Sequence, residues 1–252
     1  MSNVLDADGN NKWVAIFGNG YNSQNGYAKL FILFIEQGID GTWSASDYVK
    51  IDTGAGPIAG QEMNGLGIPR AIDSDGNGTV DYVYAGDLQG HMYRFDLTST
   101  SGGSWGATKI FSATYGTTPQ PITTKPIVIR HPESANDFIT IFSTGSWFTD
   151  ADATSTDIQS VYGVWDTMQS NRFVNKSDLL EQTITNHANI DVNGDKWNFR
   201  TVTDTTIDYT NNGDDGWFID FDVPVAGASS GVEFPGERAI RNLQYRGDFI
   251  FF

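Results

Sequence analysis

The chain has 252 residues, no cysteine, and a formal net charge of −16 that results from 31 acidic and 15 basic side chains. Without cysteine, neither a disulfide framework nor thiolate chemistry is available. The acidic balance argues against nucleic acids and anionic membranes as partners, because both are bound through clustered Lys and Arg, and it leaves divalent cations as candidate ligands.

The first residues of the chain lack the basic and apolar regions of a signal peptide. If the protein is exported, we expect its signal to lie upstream of these residues. No apolar run approaches the roughly 18 residues that a membrane helix needs. We therefore expect no membrane insertion by this chain.

Short strands joined by turns dominate the sequence pattern. Aromatic residues make up 13% of the composition, and 28 residues are Gly. Four segments combine an aromatic or β-branched run with a Gly-containing turn, at residues 13–18, 82–86, 138–145 and 216–222. Such segments are typical of an all-β protein.

The repetition of these segments favours a β-propeller. The acidic stretch at residues 6–10, before the first segment, is echoed by residues 73–77 before the second. The segments recur at longer intervals than the roughly 40 to 50 residues of familiar propeller repeats, and longer loops account for the difference. We predict that residues 1–252 form one domain, an incomplete propeller ring of about four blade-like units, with an irregular β-sandwich as the alternative.

Two stretches rich in Gly, Ser, Thr and Asn, at residues 18–26 and 98–104, are predicted to be exposed loops. Residues 177–184 fit a short helix or a strand equally well, because their apolar positions favour neither period.

The clearest chemical motif is the acidic loop that starts at Asp73 and ends at Asp81. Calcium prefers six to eight oxygen ligands, and a loop that curls around the ion presents every second side chain to it. The loop offers side-chain oxygens at Asp73, Asp75, Asn77 and Asp81 and the backbone carbonyl of Thr79. Two glycines within it permit the tight curl, since Gly accepts positive φ. We predict a calcium site with these five ligands.

This loop differs from an EF-hand, because Tyr84 stands where a bidentate Glu is expected and no helices flank it. The alternative is a turn that merely favours Asp, Asn and Gly. Two similar stretches, at residues 6–10 and 191–195, have Val14 and Phe199 at the position that Asp81 occupies. We interpret both as turns.

Signatures of catalysis are largely missing from the sequence. The three histidines, His91, His131 and His187, lack the spacing of metal ligands and are interpreted as surface or hydrogen-bonded side chains. Residues 18–23 fail the dinucleotide fingerprint, and neither a Gly-x-Ser-x-Gly elbow nor a Walker loop is present. We expect a protein that is not an enzyme.

Residues 64–97 contain the runs NGLGIPRAID, YAGDLQG and YRFDL around the acidic loop. These runs resemble the hallmark stretch of the PilY/PilC family of type IV pilus tip adhesins. Residues 13–21 resemble the strand that precedes it in that family. Later segments resemble the family in the same order, at residues 121–126, 142–147, 159–165, 216–220 and 236–238.

The resemblance implies a quinoprotein-like propeller at the C-terminal end of a longer exported protein, located on the cell surface at the pilus tip. Members of this family promote pilus extension, oppose retraction and adhere to host cells or surfaces, and bound calcium controls these activities. The expected partners are minor pilins of the tip complex and a host or abiotic surface ligand. The resemblance implies that the calcium ligands are the residues that match the family's loop by position: Asp73, Asp75, Asn77, Thr79 and Asp81.

Two other classes remain open from the sequence. An integrin-like propeller would use acidic loops only to staple its blades, and it predicts a metal loop in several blades. A quinone-dependent dehydrogenase shares the propeller architecture, but it needs a central basic and aromatic pocket that the sequence does not identify.

Overall fold

The computed structural model describes residues 2–6, 8–210, 213–223, 234–247 and 249–251. Strands dominate it, as predicted. The helical elements among these residues are one α-helix, α1 (Asp150–Thr154), and three short 3₁₀ turns at Gln37–Asp40, Gly102–Ser104 and Lys176–Asp178. In the described part of the chain, no helix has the length and apolar character needed to cross a membrane.

Two four-stranded antiparallel sheets form the first part of the fold, each with its strands in sequence order. Consecutive antiparallel strands need no crossover connection, so turns and loops suffice to join them. The strands of the first sheet are β1 (Ser2–Leu5), β2 (Asn11–Gly18), β3 (Lys29–Phe34) and β4 (Tyr48–Asp52). The strands of the second sheet are β5 (Arg70–Ile72), β6 (Tyr82–Gly86), β7 (His91–Asp96) and β8 (Gly106–Ser112).

A third sheet has five strands in the order β11-β12-β13-β17-β14, and only β14 runs parallel to its neighbour. These strands are β11 (Ile127–His131), β12 (Ser134–Ser143), β13 (Ser160–Asp166), β14 (Leu180–Glu181) and β17 (Gly216–Asp220). Three hairpins complete the described elements: β9 (Thr114–Tyr115) with β10 (Thr118–Pro119), β15 (Ile184–Val192) with β16 (Asp195–Val202), and β18 (Gln244–Arg246) with β19 (Phe249–Phe251).

The four predicted strand segments correspond to β2, β6, β12 and β17. The last two lie in the same sheet, where both pair with β13, and so they do not represent separate blades. The described residues therefore form three blade-like sheets and three two-stranded hairpins. The ambiguous stretch at residues 177–184 contains the end of a 3₁₀ turn and the strand β14.

The three sheets stack face to face through two apolar clusters. The second sheet contributes Val83 and Phe95 to a cluster shared with the first sheet, and Tyr84 and Met92 to a cluster shared with the third. Because successive side chains of a strand point to opposite faces, both faces of the second sheet are buried. A third cluster, around Ile141, covers the far face of the third sheet.

A buried carboxylate organises the turn between β6 and β7. Asp87 is fully buried and accepts hydrogen bonds from the backbone N–H groups of Gln89 at 3.0 Å and His91 at 2.8 Å. Its other oxygen lies 2.9 Å from Nδ1 of His91 and accepts from Nδ2 of Asn64 at 3.0 Å. The contact from Asn64 ties the segment that enters the second sheet to this turn. His91 is thus a hydrogen-bonded histidine, as predicted.

A buried ion pair links the second sheet to the third. Nη1 of Arg94, on β7, lies 2.5 Å from Oδ1 of Asp166, at the end of β13, and the hydroxyl of Tyr84 donates to Oδ2 of Asp166 at 2.8 Å. Both charged side chains are 4% exposed. Removing one partner of such a pair leaves an uncompensated charge in the interior.

We predict that Asp166→Ala lowers the free energy of unfolding by about 3 to 5 kcal/mol, because Arg94 and Tyr84 lose their acceptor. Urea unfolding followed by tryptophan fluorescence measures this change. The control Asp204→Ala removes an exposed carboxylate and should change stability by no more than about 0.5 kcal/mol. A loss below about 1 kcal/mol for Asp166→Ala would show that this ion pair does not hold the two sheets together.

Candidate metal centre

The acidic loop connects β5 to β6 and brings three carboxylates together. Asp73, Asp75 and Asp81 each place one carboxylate oxygen within 4.8 Å of the others. Asp73 and Asp75 are exposed and Asp81 is buried. In the part of the chain that the structure describes, no Lys or Arg forms an ion pair with any of the three.

The backbone of the loop curls around Asp73. Oδ1 of Asp73 accepts hydrogen bonds from the N–H groups of Gly76 at 2.7 Å and Asn77 at 3.2 Å, and Oδ2 accepts from that of Gly78 at 2.8 Å. Gly76 and Gly78 have φ angles of 79° and 88°, which side chains with a Cβ rarely adopt. The two glycines therefore allow the curl that the sequence predicts.

The remaining predicted ligands lie in the same loop with different roles. Oδ1 of Asn77 accepts from the N–H of Thr79 at 2.8 Å and from its hydroxyl at 2.5 Å. Coordination of an ion by this oxygen therefore requires these hydrogen bonds to be shared or exchanged. Thr79 itself is buried, in keeping with a role through its backbone.

Ser74 and Arg130 stabilise the loop by hydrogen bonds. Neither is a predicted ligand, and neither role was identified from the sequence. Ser74 donates to Oδ2 of Asp81 from its N–H at 2.7 Å and from its hydroxyl at 2.5 Å. Nη2 of Arg130, on β11, donates to the carbonyl oxygen of Ser74. The contact from Arg130 joins two sheets and has no signal in the local sequence. The sequence shows that residue 74 has a hydroxyl group, but only the fold shows that this group points to Asp81.

The donor set fits a calcium ion. The three converging side chains are carboxylates, and their oxygens are the ligand atoms that this hard cation prefers. An ionised carboxylate has about four acceptor sites, so the oxygens that accept backbone N–H groups keep capacity for an ion. The residues that would hold the ion are therefore Asp73, Asp75 and Asp81, with Asn77 and the carbonyl of Thr79 as the further candidates.

The two weaker motifs form turns. In the stretch at residues 6–10, Oδ1 of Asp6 accepts from the N–H groups of Asp8 at 3.0 Å and Asn10 at 2.8 Å. The stretch at residues 191–195 makes the turn between β15 and β16, with positive φ at Asn193 and Gly194. Among the described residues, only the loop at Asp73 gathers three potential metal-binding side chains.

His131 does not belong to this centre. His131 is buried, and its ring stacks on Trp165 with the centroids 4.4 Å apart. Burial lowers the pKa of His131 below its usual value of 6.5. The side chain of His187 lies outside the described part of the structure.

Stacked sheets of four antiparallel strands in sequence order are the arrangement of neighbouring blades in a β-propeller. The family model described as the PilY1 beta-propeller domain matches residues 5–193. The chain therefore belongs to the PilY1 β-propeller family. This match confirms the predicted all-β propeller and the resemblance found in the sequence.

Individual relatives agree with this assignment. The chain is 30% identical over 245 residues to the type IV pilus biogenesis factor PilY1 of Pseudomonas aeruginosa, covering 84% of this chain and 20% of that protein. It is 32% identical over 257 residues to a PilY1 homolog of Xylella fastidiosa, covering 96% of this chain and 16% of that protein. The chain thus spans no more than about a fifth of the length of these relatives.

A solved structure is similar over nearly the whole chain. The crystal structure of the Pseudomonas aeruginosa PilY1 C-terminal domain superposes with a TM-score of 0.78 at 28% identity. The match covers 99% of this chain and 53% of that chain. The fold described above therefore corresponds to about half of that C-terminal domain.

The hydrogen bonds within the loop shift the titration of Asp73. The N–H of Gly78, together with those of Gly76 and Asn77, holds the pKa of the Asp73 carboxyl below its usual value of 3.8. Because the folded-state pKa is lowered, this carboxylate stabilises the fold above its unfolded-state pKa. That contribution is lost as pH falls through the lowered folded-state pKa.

We predict that the side-chain carboxyl carbon of Asp73 titrates with a midpoint below 3.8 in the metal-free folded protein. A carbon-13 NMR titration measures this midpoint. The same carbon in the urea-unfolded protein is the reference and should titrate at about 3.9. A folded-state midpoint at or above the unfolded one would contradict the hydrogen-bonded loop.

Proposed function

We propose that this chain is a calcium-binding module, without enzymatic activity, of a type IV pilus biogenesis factor at the bacterial surface. The proposed metal site is supported by the convergence of Asp73, Asp75 and Asp81 within 4.8 Å. In the described part of the chain, no Lys or Arg side chain forms an ion pair with them. Three carboxylates at this separation repel one another. A divalent cation would supply the positive charge that offsets this repulsion.

The assignment to pilus biogenesis rests on the relatives. The curated relatives from Pseudomonas aeruginosa and Xylella fastidiosa are named type IV pilus biogenesis factors or homologs of one, and not enzymes. We propose that the whole protein acts at the pilus tip, with minor pilins as partners and with adhesion to a host or abiotic surface as a further role. The propeller module would contribute its calcium loop to these activities.

We predict that calcium raises the melting temperature of the protein and that EGTA reverses the increase. An ion bound only by the folded state stabilises it by about 2.7 kcal/mol at a hundredfold excess over Kd. Asp73→Ala and Asp81→Ala should abolish the response and the heat of binding in calorimetry. Asp8→Ala, in the turn without a metal site, is the matched control and should respond like the unaltered protein. An unchanged response in Asp81→Ala would remove this loop from the proposal.

We also predict a cellular effect of the same substitution. Asp81→Ala, introduced into the gene of the full-length protein, should change the number of surface pili and surface adherence, because the loop would lose its ion. Shear-released pilin and adherence assays measure the two effects at equal levels of the protein, with Asp8→Ala as the control. Wild-type piliation and adherence in Asp81→Ala would contradict a role of the metal site in pilus function.

A further inference from the structure

The acidic loop touches all three sheets. It belongs to the second sheet, since it connects β5 to β6. The N–H of Val80 donates to the carbonyl oxygen of Asn3, on β1 of the first sheet, at 2.8 Å. Arg130, on β11 of the third sheet, donates to the carbonyl oxygen of Ser74. The loop is therefore held from both neighbouring sheets.

The guanidinium group of Arg130 has a fixed position. Its Nη1 donates to the carbonyl oxygen of Ala135 at 2.7 Å, and its Cζ lies 4.6 Å from the centroid of the Phe138 ring, across the β11–β12 pair. A guanidinium that is stacked and hydrogen-bonded loses little further freedom when it binds another acceptor. Nη2 is thereby directed to the carbonyl of Ser74.

Ser74 connects Arg130 to Asp81, one of the predicted ligands. Its N–H and its hydroxyl both donate to Oδ2 of Asp81. Arg130 therefore fixes Ser74, and Ser74 fixes the only buried carboxylate of the three. Arg130 is not within ion-pair distance of any of the three carboxylates among the described residues, so its contact with the loop is the hydrogen bond.

We infer that Arg130 is a positioning residue for the proposed calcium site, an inference that rests on the proposed function. Arg130 couples calcium binding to the contact between the second and third sheets. Arg130 acts on the loop in two opposing ways. Its charge repels a nearby cation, whereas its hydrogen bond orients Asp81 through Ser74. Exposure of Arg130 to solvent screens the charge, so the hydrogen bond dominates. Whether removal of the Arg130 side chain weakens or strengthens calcium binding therefore tests the inference.

Calorimetric titration with calcium chloride is the experiment. We expect Arg130→Ala to weaken calcium binding by about three- to tenfold, the range that the loss of one hydrogen bond produces. Arg130→Lys keeps the charge and a single donor group, and it should recover part of the affinity. Arg241→Ala removes a charge from an exposed arginine that forms no ion pair among the described residues, and it should leave the affinity unchanged.

A double-mutant cycle tests the route through the Ser74 hydroxyl. Arg130→Ala should cost less affinity in a Ser74→Ala background, because the hydroxyl that passes the contact to Asp81 is already absent. Melting temperatures of each variant, with EGTA and with saturating calcium, separate the metal effect from a purely structural one. The increase in melting temperature that calcium causes should be smaller in Arg130→Ala than in the unaltered protein.

The outcomes separate the two proposals. If the unaltered protein fails to bind calcium, the proposed function fails and the inference falls with it. If Asp81→Ala abolishes binding while Arg130→Ala binds as tightly as the unaltered protein, or more tightly, only the role of Arg130 is overturned. Additive effects in the double-mutant cycle would overturn the route through the Ser74 hydroxyl.

Discussion

The burial of both faces of the second sheet is the constraint on which the rest of the structure depends. Val83 and Tyr84 are neighbours on β6, yet they pack in different clusters, one shared with the first sheet and one with the third. Burying a side chain of this size stabilises the fold by about 1.5 to 3 kcal/mol. The second sheet is therefore held between its two neighbours, and the loop between β5 and β6 lies where both can reach it.

Electrostatics impose a second constraint at this loop. The chain carries a net charge of −16, and three of its carboxylates lie within 4.8 Å of one another in this loop. Hydrogen bonds from the loop backbone to Asp73 and from Ser74 to Asp81 offset part of the repulsion. Because these donors are neutral, they leave the net charge of the loop unchanged. A divalent cation is the partner that completes this arrangement in the proposed account.

The sequence predicted the features that depend on local spacing. The all-β class followed from the strand segments, and the grouping of Asp73, Asp75 and Asp81 followed from their alternation along one loop. The turns at residues 6–10 and 191–195 were also predicted, since neither stretch has an acid at its ninth position. All of these features involve residues that are close together in the chain.

Features that depend on tertiary pairing were not predictable in this way. The segments around β12 and β17 share one sheet because both pair with β13, and a long hairpin between β14 and β17 separates them in sequence. Arg130 reaches a loop that lies 56 residues away, and Arg94 pairs with an aspartate 72 residues away. No local pattern marks such pairs, because the stacking of the sheets creates them.

The most direct test of the central claim is a crystal structure of this chain grown with calcium and, in parallel, with terbium for anomalous diffraction. We predict one strong peak in the loop between β5 and β6, with calcium about 2.3 to 2.6 Å from oxygens of Asp73, Asp75 and Asp81. A loop without a peak at saturating metal, or a peak held by other residues, would contradict it.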